Sequence, residues 1–175
     1  GVRFCFDEFI SYIGASNEKL AQDYIDNAGL SVDLKDLVRQ KQQLYLEMIP
    51  GIEPLPGVMR SIMTFAGSYR LAVASSSDCV ELEKILTTLG IRHLFEKVVG
   101  GDMVARKKPH PEIYLVTAGL LGLAPNKCLA FEDSESGITA AKSAGMFAIA
   151  IPNGLSMSHD FSGADRVIEC MDMAD

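Results

Sequence analysis

The stretch from Lys127 to Gly145, KCLAFEDSESGITAAKSAG, constrains the fold more than any other part of the chain. Cys128 to Phe131 run apolar without polar alternation, which predicts a strand buried on both faces. They lead straight into two adjacent carboxylates, Glu132 and Asp133. Ser134 is a good helix N-cap. Gly137, Ile138, Ala140, Ala141 and Ala144 make a small-residue helix that can pack close on the strand, and Gly145 is placed to stop it. Open α/β sheets keep their ligand sites at the carboxyl ends of such strands, where Glu132 and Asp133 fall. Three readings fit the pair: ligands for a hard cation such as Mg2+, an acid/base pair, or a solvated first turn, where acidic residues are favoured anyway. Neighbours along a strand point to opposite faces. Both can ligate one ion only if the chain is already turning, and otherwise one acts through water.

The rest of the chain divides at a linker. Residues 1–50 read as helix throughout. Phe6, Phe9, Ile10 and Ile13 fall at i, i+3, i+4 and i+7, and Gly14 stops them. Ser16 or Asn17 can cap a second helix, with Leu20, Tyr24 and Ala28 on one side and its end at Gly29. Ser31 or Asp33 can cap a third, with Leu34, Leu37, Val38, Tyr45 and Met48 inward. Lys41 interrupts that stripe, and either snorkels to solvent or faces a substrate cleft. Residues 50–57, PGIEPLPG, carry three prolines and two glycines and mark the boundary.

Beyond it, residues 51–175 alternate helix and strand. Val58, Ile62, Phe65 and Ala66 predict a short helix, and Leu71 to Ala74 a buried strand. Ser75-Ser76-Ser77 follow, then Asp78 with Glu81 as a capping box. Leu82, Ile85, Leu86 and Leu89 give the next helix, stopped by Gly90. Lys97 to Val99 predict a strand before Gly100-Gly101. Pro111 opens a helix carrying Ile113, Val116 and Leu120. Phe147 to Ile151 and Arg166 to Ile168 are the last strands, with Pro152-Asn153-Gly154 as a turn. This βαβα order predicts an α/β fold, a Rossmann-like parallel sheet covered on both faces with a small helical domain in front.

A chain of 175 residues has room for one core and a small accessory domain. The net charge of −7, with no basic stripe, argues against nucleic acid or an anionic membrane as partner, but not against a small anionic substrate. Cys5, Cys79, Cys128 and Cys170 are scattered, without a C-x-x-C, and read as reduced thiols of a cytoplasmic protein. No run of residues is apolar and long enough to span a membrane.

Three polar clusters are expected on one edge of the sheet. A serine hydroxyl and free backbone N–H groups at the Ser75–Ser77 turn can hold a phosphoryl oxygen, or simply cap a helix. Arg106-Lys107-Lys108 precede Pro109, which pushes Lys108 into an extended conformation and so sets its direction. An ammonium there can neutralise a phosphate and a nearby carboxylate, or belong to a solvated basic loop. Glu132-Asp133 are the third. Serine, lysine and a carboxylate pair at successive strand ends suit Mg2+-dependent phosphoryl transfer, which needs positioning and charge stabilisation above all.

Together these motifs resemble the haloacid dehalogenase-like superfamily, in its β-phosphoglucomutase-like branch of phosphatases and mutases with a helical cap. LAVASSS is similar to the second motif of that family, which implies Ser75 as the phosphate-binding hydroxyl, helped by Ser76. KKPHPEIY resembles the third motif, with Lys108 as its lysine. FEDSESGITAAKSAG resembles the fourth, with Glu132 and Asp133 as Mg2+ ligands. Leu55 to Val58 resemble the re-entry from cap to core, and residues 1–50 would be most of the cap. The resemblance implies a small phosphorylated substrate.

The first motif of that family is absent. It is an apolar strand ending in Asp-x-Asp, whose first aspartate becomes the aspartyl-phosphate and whose second is the general acid/base. Asp7 is followed by Glu8-Phe9, and helical spacing assigns its surroundings to the cap. In the family that strand lies mid-sheet, between the strands matching 71–74 and 128–131. Without it those two would present open edges to each other, which is costly. We therefore expect a nucleophile strand upstream of Gly1. Asp78 stands where mutase-like members carry lysine, and Asn17 where they carry an arginine for a distal phosphate. Both changes favour a monophosphate phosphatase over a mutase. The rivals are a non-catalytic phosphometabolite-binding or regulatory relative and an unrelated nucleotide-binding domain, although neither G-x-G-x-x-G nor G-x-x-x-x-G-K-[ST] occurs.

Overall fold

The computed structural model describes Tyr12 and residues 16–171. The helix predicted over Phe6–Ile13, with Asp7 in it, lies outside the described residues. Helix α1 (Asn17–Ala28) starts where Ser16 accepts a hydrogen bond from Lys19 N and ends at Gly29, which takes φ 60°. Helix α2 (Leu34–Met48) starts at Asp33, whose carboxylate accepts from Lys35 N and Asp36 N. The two pack on each other, and α2 also touches α4 of the following α/β part. Its inner stripe is half-buried and includes Lys41 and Leu46, whereas Met48 is 70% exposed, against expectation. Ile49, fully buried, takes that inward place at the helix end.

The α/β part runs α3 (Val58–Ala66), β1 (Ala72–Ala74), α4 (Cys79–Thr88), β2 (Lys97–Val99), α5 (Glu112–Leu121), β3 (Leu129–Glu132), α6 (Glu135–Ser143), β4 (Phe147–Ala150) and β5 (Arg166–Val167). All paired strands are parallel, but they form two ladders. One is β1-β2, with Val73 opposite Val98; the other is β3-β4-β5, with Phe131 opposite Ile149. Among the described residues no ladder joins β1 to β3, and none pairs with the second edge of either. Between them, α5 packs against β1, β2 and α6.

The core is built of small and β-branched side chains, among them Val99, Ile113, Ala130, Ile138, Ala140 and Ala148. Short side chains bring α6 close to β3 and β4. Two expectations are corrected. Cys128 to Phe131 is not buried on both faces: Leu129 is 49% exposed, while Ala130 on the other face is buried. Phe131 is covered because Phe65 of α3 stacks on it at 5.8 Å between centroids, and Leu129 has no such cover among the described residues. On α5 the buried face is Ile113, Tyr114, Thr117, Ala118 and Leu121, and Leu120 points outward. EIYLVTAGLL is apolar nearly all round, so its periodicity does not single out a face. No described helix is long and apolar enough to cross a membrane.

Candidate active site

The carboxyl ends of β1 and β3 open into one cleft of about 440 Å3, lined by Ser75, Ser76, Ser77, Lys108, Glu132, Asp133 and Ser134, with Asn17 of α1 also at its wall. Of the basic triplet only Lys108 reaches it. Arg106 pairs with Glu112 on the surface, and Lys107 donates to Gly101 O.

The serine turn is held rigidly. Ser75 N donates to Val99 O at 3.1 Å, which extends the β1-β2 ladder by one bond. Ser75 Oγ accepts from Ser77 N at 3.2 Å, so its own proton is left to donate. Gly101 N donates to Ser77 O at 2.8 Å. A Cβ on Gly101 would collide with Ser76 O, and one on Gly100 would lie 2.5 Å from Cys79 N, so only glycines allow this approach. The predicted capping box of Asp78 and Glu81 starts α4. Gln42 of α2 donates to Asp78 Oδ2 at 2.8 Å and ties the helical pair to the core. Burial, then the charges of Asp102 and Glu18, push the Asp78 carboxyl above its ordinary value. Burial likewise raises Glu81, whose Oε1 has no hydrogen-bond partner.

Lys108 spans the two ladders. Its Nζ donates to Ala74 O at the end of β1, at 3.3 Å, and to Glu132 Oε1 at the end of β3. Both side chains are buried. Glu132 Oε1 also accepts from the Tyr114 hydroxyl, and Oε2 accepts from Ser134 Oγ at 3.1 Å. Lys108 Nζ stands 5.0 Å from the Tyr114 ring centroid. Burial, and then the Glu132 charge, hold the Tyr114 hydroxyl well above its ordinary value, so it stays protonated and donates. Gly137, one turn into α6, leaves room for Glu132, because a Cβ there would collide with the carboxylate.

Asp133 lies in the turn after β3 and is exposed to the cleft. Asn153 Nδ2 donates to its Oδ2 at 2.9 Å. Asn153 is itself fixed, since its N donates to Ser156 Oγ and its Oδ1 accepts from Leu155 N. Surrounding protein, and then the Glu132 charge, push the Asp133 carboxyl above its ordinary value. At the opposite wall Asn17 Oδ1 accepts from Lys41 Nζ at 2.5 Å. An ammonium therefore stands beside the asparagine.

Among the described residues no group of three His, Cys, Asp or Glu is set to hold an ion. The two carboxylates do fit Mg2+, which binds through one or two carboxylates, several waters and substrate phosphate oxygens rather than an all-protein cage. Asp133 offers an open carboxylate, and three donors leave Glu132 one acceptor direction of about four. Sequence reasoning placed Ser75, Ser76, Lys108, Glu132 and Asp133 at this cleft. It did not find Tyr114 or Asn153, and it took Ser134 for a helix cap alone.

A cleft at parallel strand ends, with the Ser75 hydroxyl on one side and carboxylates on the other, is where α/β enzymes keep their ligand sites. The profile of the haloacid dehalogenase-like hydrolases matches residues 4–151. Fructose-1-phosphate phosphatase YqaB of Escherichia coli is 33% identical over 150 residues, covering 85% of this chain and 79% of that protein. β-Phosphoglucomutase of Bacillus subtilis is 35% identical over 142 residues, covering 79% of this chain and 60% of its own length. CbbY from Rhodobacter sphaeroides, solved with phosphate, superposes with a TM-score of 0.90 at 26% identity, over 98% of this chain and 81% of that one. A variant of CbbY solved with xylulose-1,5-bisphosphate superposes equally well. The chain belongs to the haloacid dehalogenase-like hydrolases and is an enzyme of their phosphatase kind.

Proposed function

We propose that the chain forms most of a Mg2+-dependent phosphatase of small sugar phosphates. The observation that carries this is Lys108, whose ammonium links the end of β1 to Glu132 at the end of β3. The Ser75 hydroxyl and Lys108 hold the phosphoryl oxygens. Glu132 and Asp133 hold Mg2+, which when bound neutralises charge on the transferring group. The nucleophile is an aspartate on a further strand seated between β1 and β3, so that its end lies between Ser75 and Asp133. It takes the phosphoryl group from the sugar oxygen as aspartyl-phosphate, and water then releases phosphate. Residues 1–50 act as a cap over the cleft and 51–175 as the core. Closure of the cap, with Asn17 and Lys41 on its inner side, excludes water.

Asp78, held by Gln42, favours a monophosphate substrate, since a carboxylate there repels a second phosphate. The ammonium of Lys41 beside Asn17 favours the other reading, a phosphomutase that grips a distal phosphate. Phosphate release from a panel of sugar monophosphates by the protein that includes the further strand, with Mg2+ and with EDTA, tests the proposal. Expected is metal-dependent release that Ser75→Ala and Asp133→Asn each lower at least tenfold. Metal-independent release would refute it, and interconversion of sugar phosphate isomers without net release would favour the mutase. Binding of sugar phosphates with no turnover would point to a regulatory relative.

A further inference from the structure

We propose that Tyr114 is a positioning residue of this site, fixing the Glu132 carboxylate so that its remaining acceptor direction serves the cation and Lys108 stays free enough to serve the phosphate. The proposal rests on the reading of Glu132 as a metal ligand.

An ionised carboxylate accepts about four hydrogen bonds. Three are taken from inside the protein: Lys108 and Tyr114 share Oε1, and Ser134 holds Oε2. Tyr114 is on the buried face of α5 in its first turn, beside Ile113 and one turn before Thr117 and Ala118, so packing sets the direction of the ring. The hydroxyl completes Oε1, and the ring face lies by the ammonium of Lys108. With phenylalanine there, one acceptor direction of a buried carboxylate would lose its donor. The nearest replacement is Lys108. The carboxylate would turn toward the ammonium, draw it tighter, and give up both the orientation a cation needs and part of the charge a phosphate needs. A tyrosine buried only to fill the core would show none of this, because phenylalanine preserves its shape.

The test is Tyr114→Phe, read with Mn2+ alone and with inorganic phosphate alone. Free Mn2+ is counted by electron paramagnetic resonance, phosphate binding by calorimetry, and folding by thermal melting. Expected is a folded variant with roughly tenfold weaker Mn2+ binding, in the range seen for residues that orient metal ligands, and with weaker phosphate binding. In a Glu132→Gln background the same substitution should leave Mn2+ binding where Glu132→Gln alone puts it. A variant that binds Mn2+ and phosphate within twofold of the parent overturns the proposal, as does an equal loss in the Glu132→Gln background. A parent that binds phosphate but no Mn2+ overturns the metal reading itself and this proposal with it.

Discussion

Lys108 and Glu132 form an ion pair whose side chains are only 6% and 7% exposed. They are 24 residues apart and come from different elements, a loop and a strand end. A buried pair of this kind is worth little over an apolar substitute, but breaking it from one side is expensive.

Lys108→Met therefore destabilises the fold by about 3 kcal/mol, because it leaves the Glu132 carboxylate short of its charge partner. The double variant Lys108→Met, Glu132→Gln recovers most of that loss yet binds no phosphate. Urea unfolding of the three proteins, beside phosphate calorimetry, measures both statements. Equal stability of the single variant and the parent would contradict the first.

Gly137→Ala sets two effects against each other. Alanine inside a helix gains about 1 kcal/mol over glycine. Here its Cβ would collide with the Glu132 carboxylate, which three donors hold in place. Overpacking of that kind costs about 1–3 kcal/mol. The net sign is destabilising, and Mn2+ binding weakens because Glu132 is the group that must move. A more stable variant with unchanged Mn2+ binding is the contrary result.

Glu81 gives the pH dependence. Burial raises its pKa above the ordinary 4.5; the hydrogen bond from Asp78 N opposes the rise, the Asp78 charge adds to it and Lys41 opposes it. The folded state thus holds the proton more firmly than the unfolded one. The stability this contributes is complete below pH 4.5 and is lost as pH climbs through the raised value. Glu81→Gln removes the titration while keeping an acceptor for Asp78 N. Against the variant, the parent should lose stability as pH rises from 4.5, and at pH 7 the variant should be more stable by about 1 kcal/mol. Parallel stability curves from pH 4 to pH 8 would show that Glu81 does not titrate in this window.

The parts of the site that are legible in the sequence are local ones. Ser75 and Asp133 each follow a short apolar run, and Lys108 precedes a proline, so a strand end or a fixed direction can be read within a few residues. Tyr114 is not legible in this way. Its partner is 18 residues away, and its role depends on the rotation of α5, which ten mostly apolar residues do not specify. Asn153 meets Asp133 only because β3 and β4 are neighbours in register. Leu129 fails for the opposite reason: an apolar run says that a strand can be covered, not that a helix extends far enough to cover its first residue. The serine-turn glycines lie between these cases. Gly100-Gly101 are visible as a turn, but their use as a floor for Ser76 and Cys79 appears only when β1 and β2 are side by side.

Ser75 and Asp133 stand on separate ladders. Among the described residues no ladder joins the two, and their spacing is held by α5, which packs on β1, β2 and α6, and by the ammonium that reaches both strand ends. A rigid sheet would make the width of the phosphoryl site a constant. The strand proposed between β1 and β3 would supply that constancy, so a shift in its register would reset the width without touching Ser75 or Asp133.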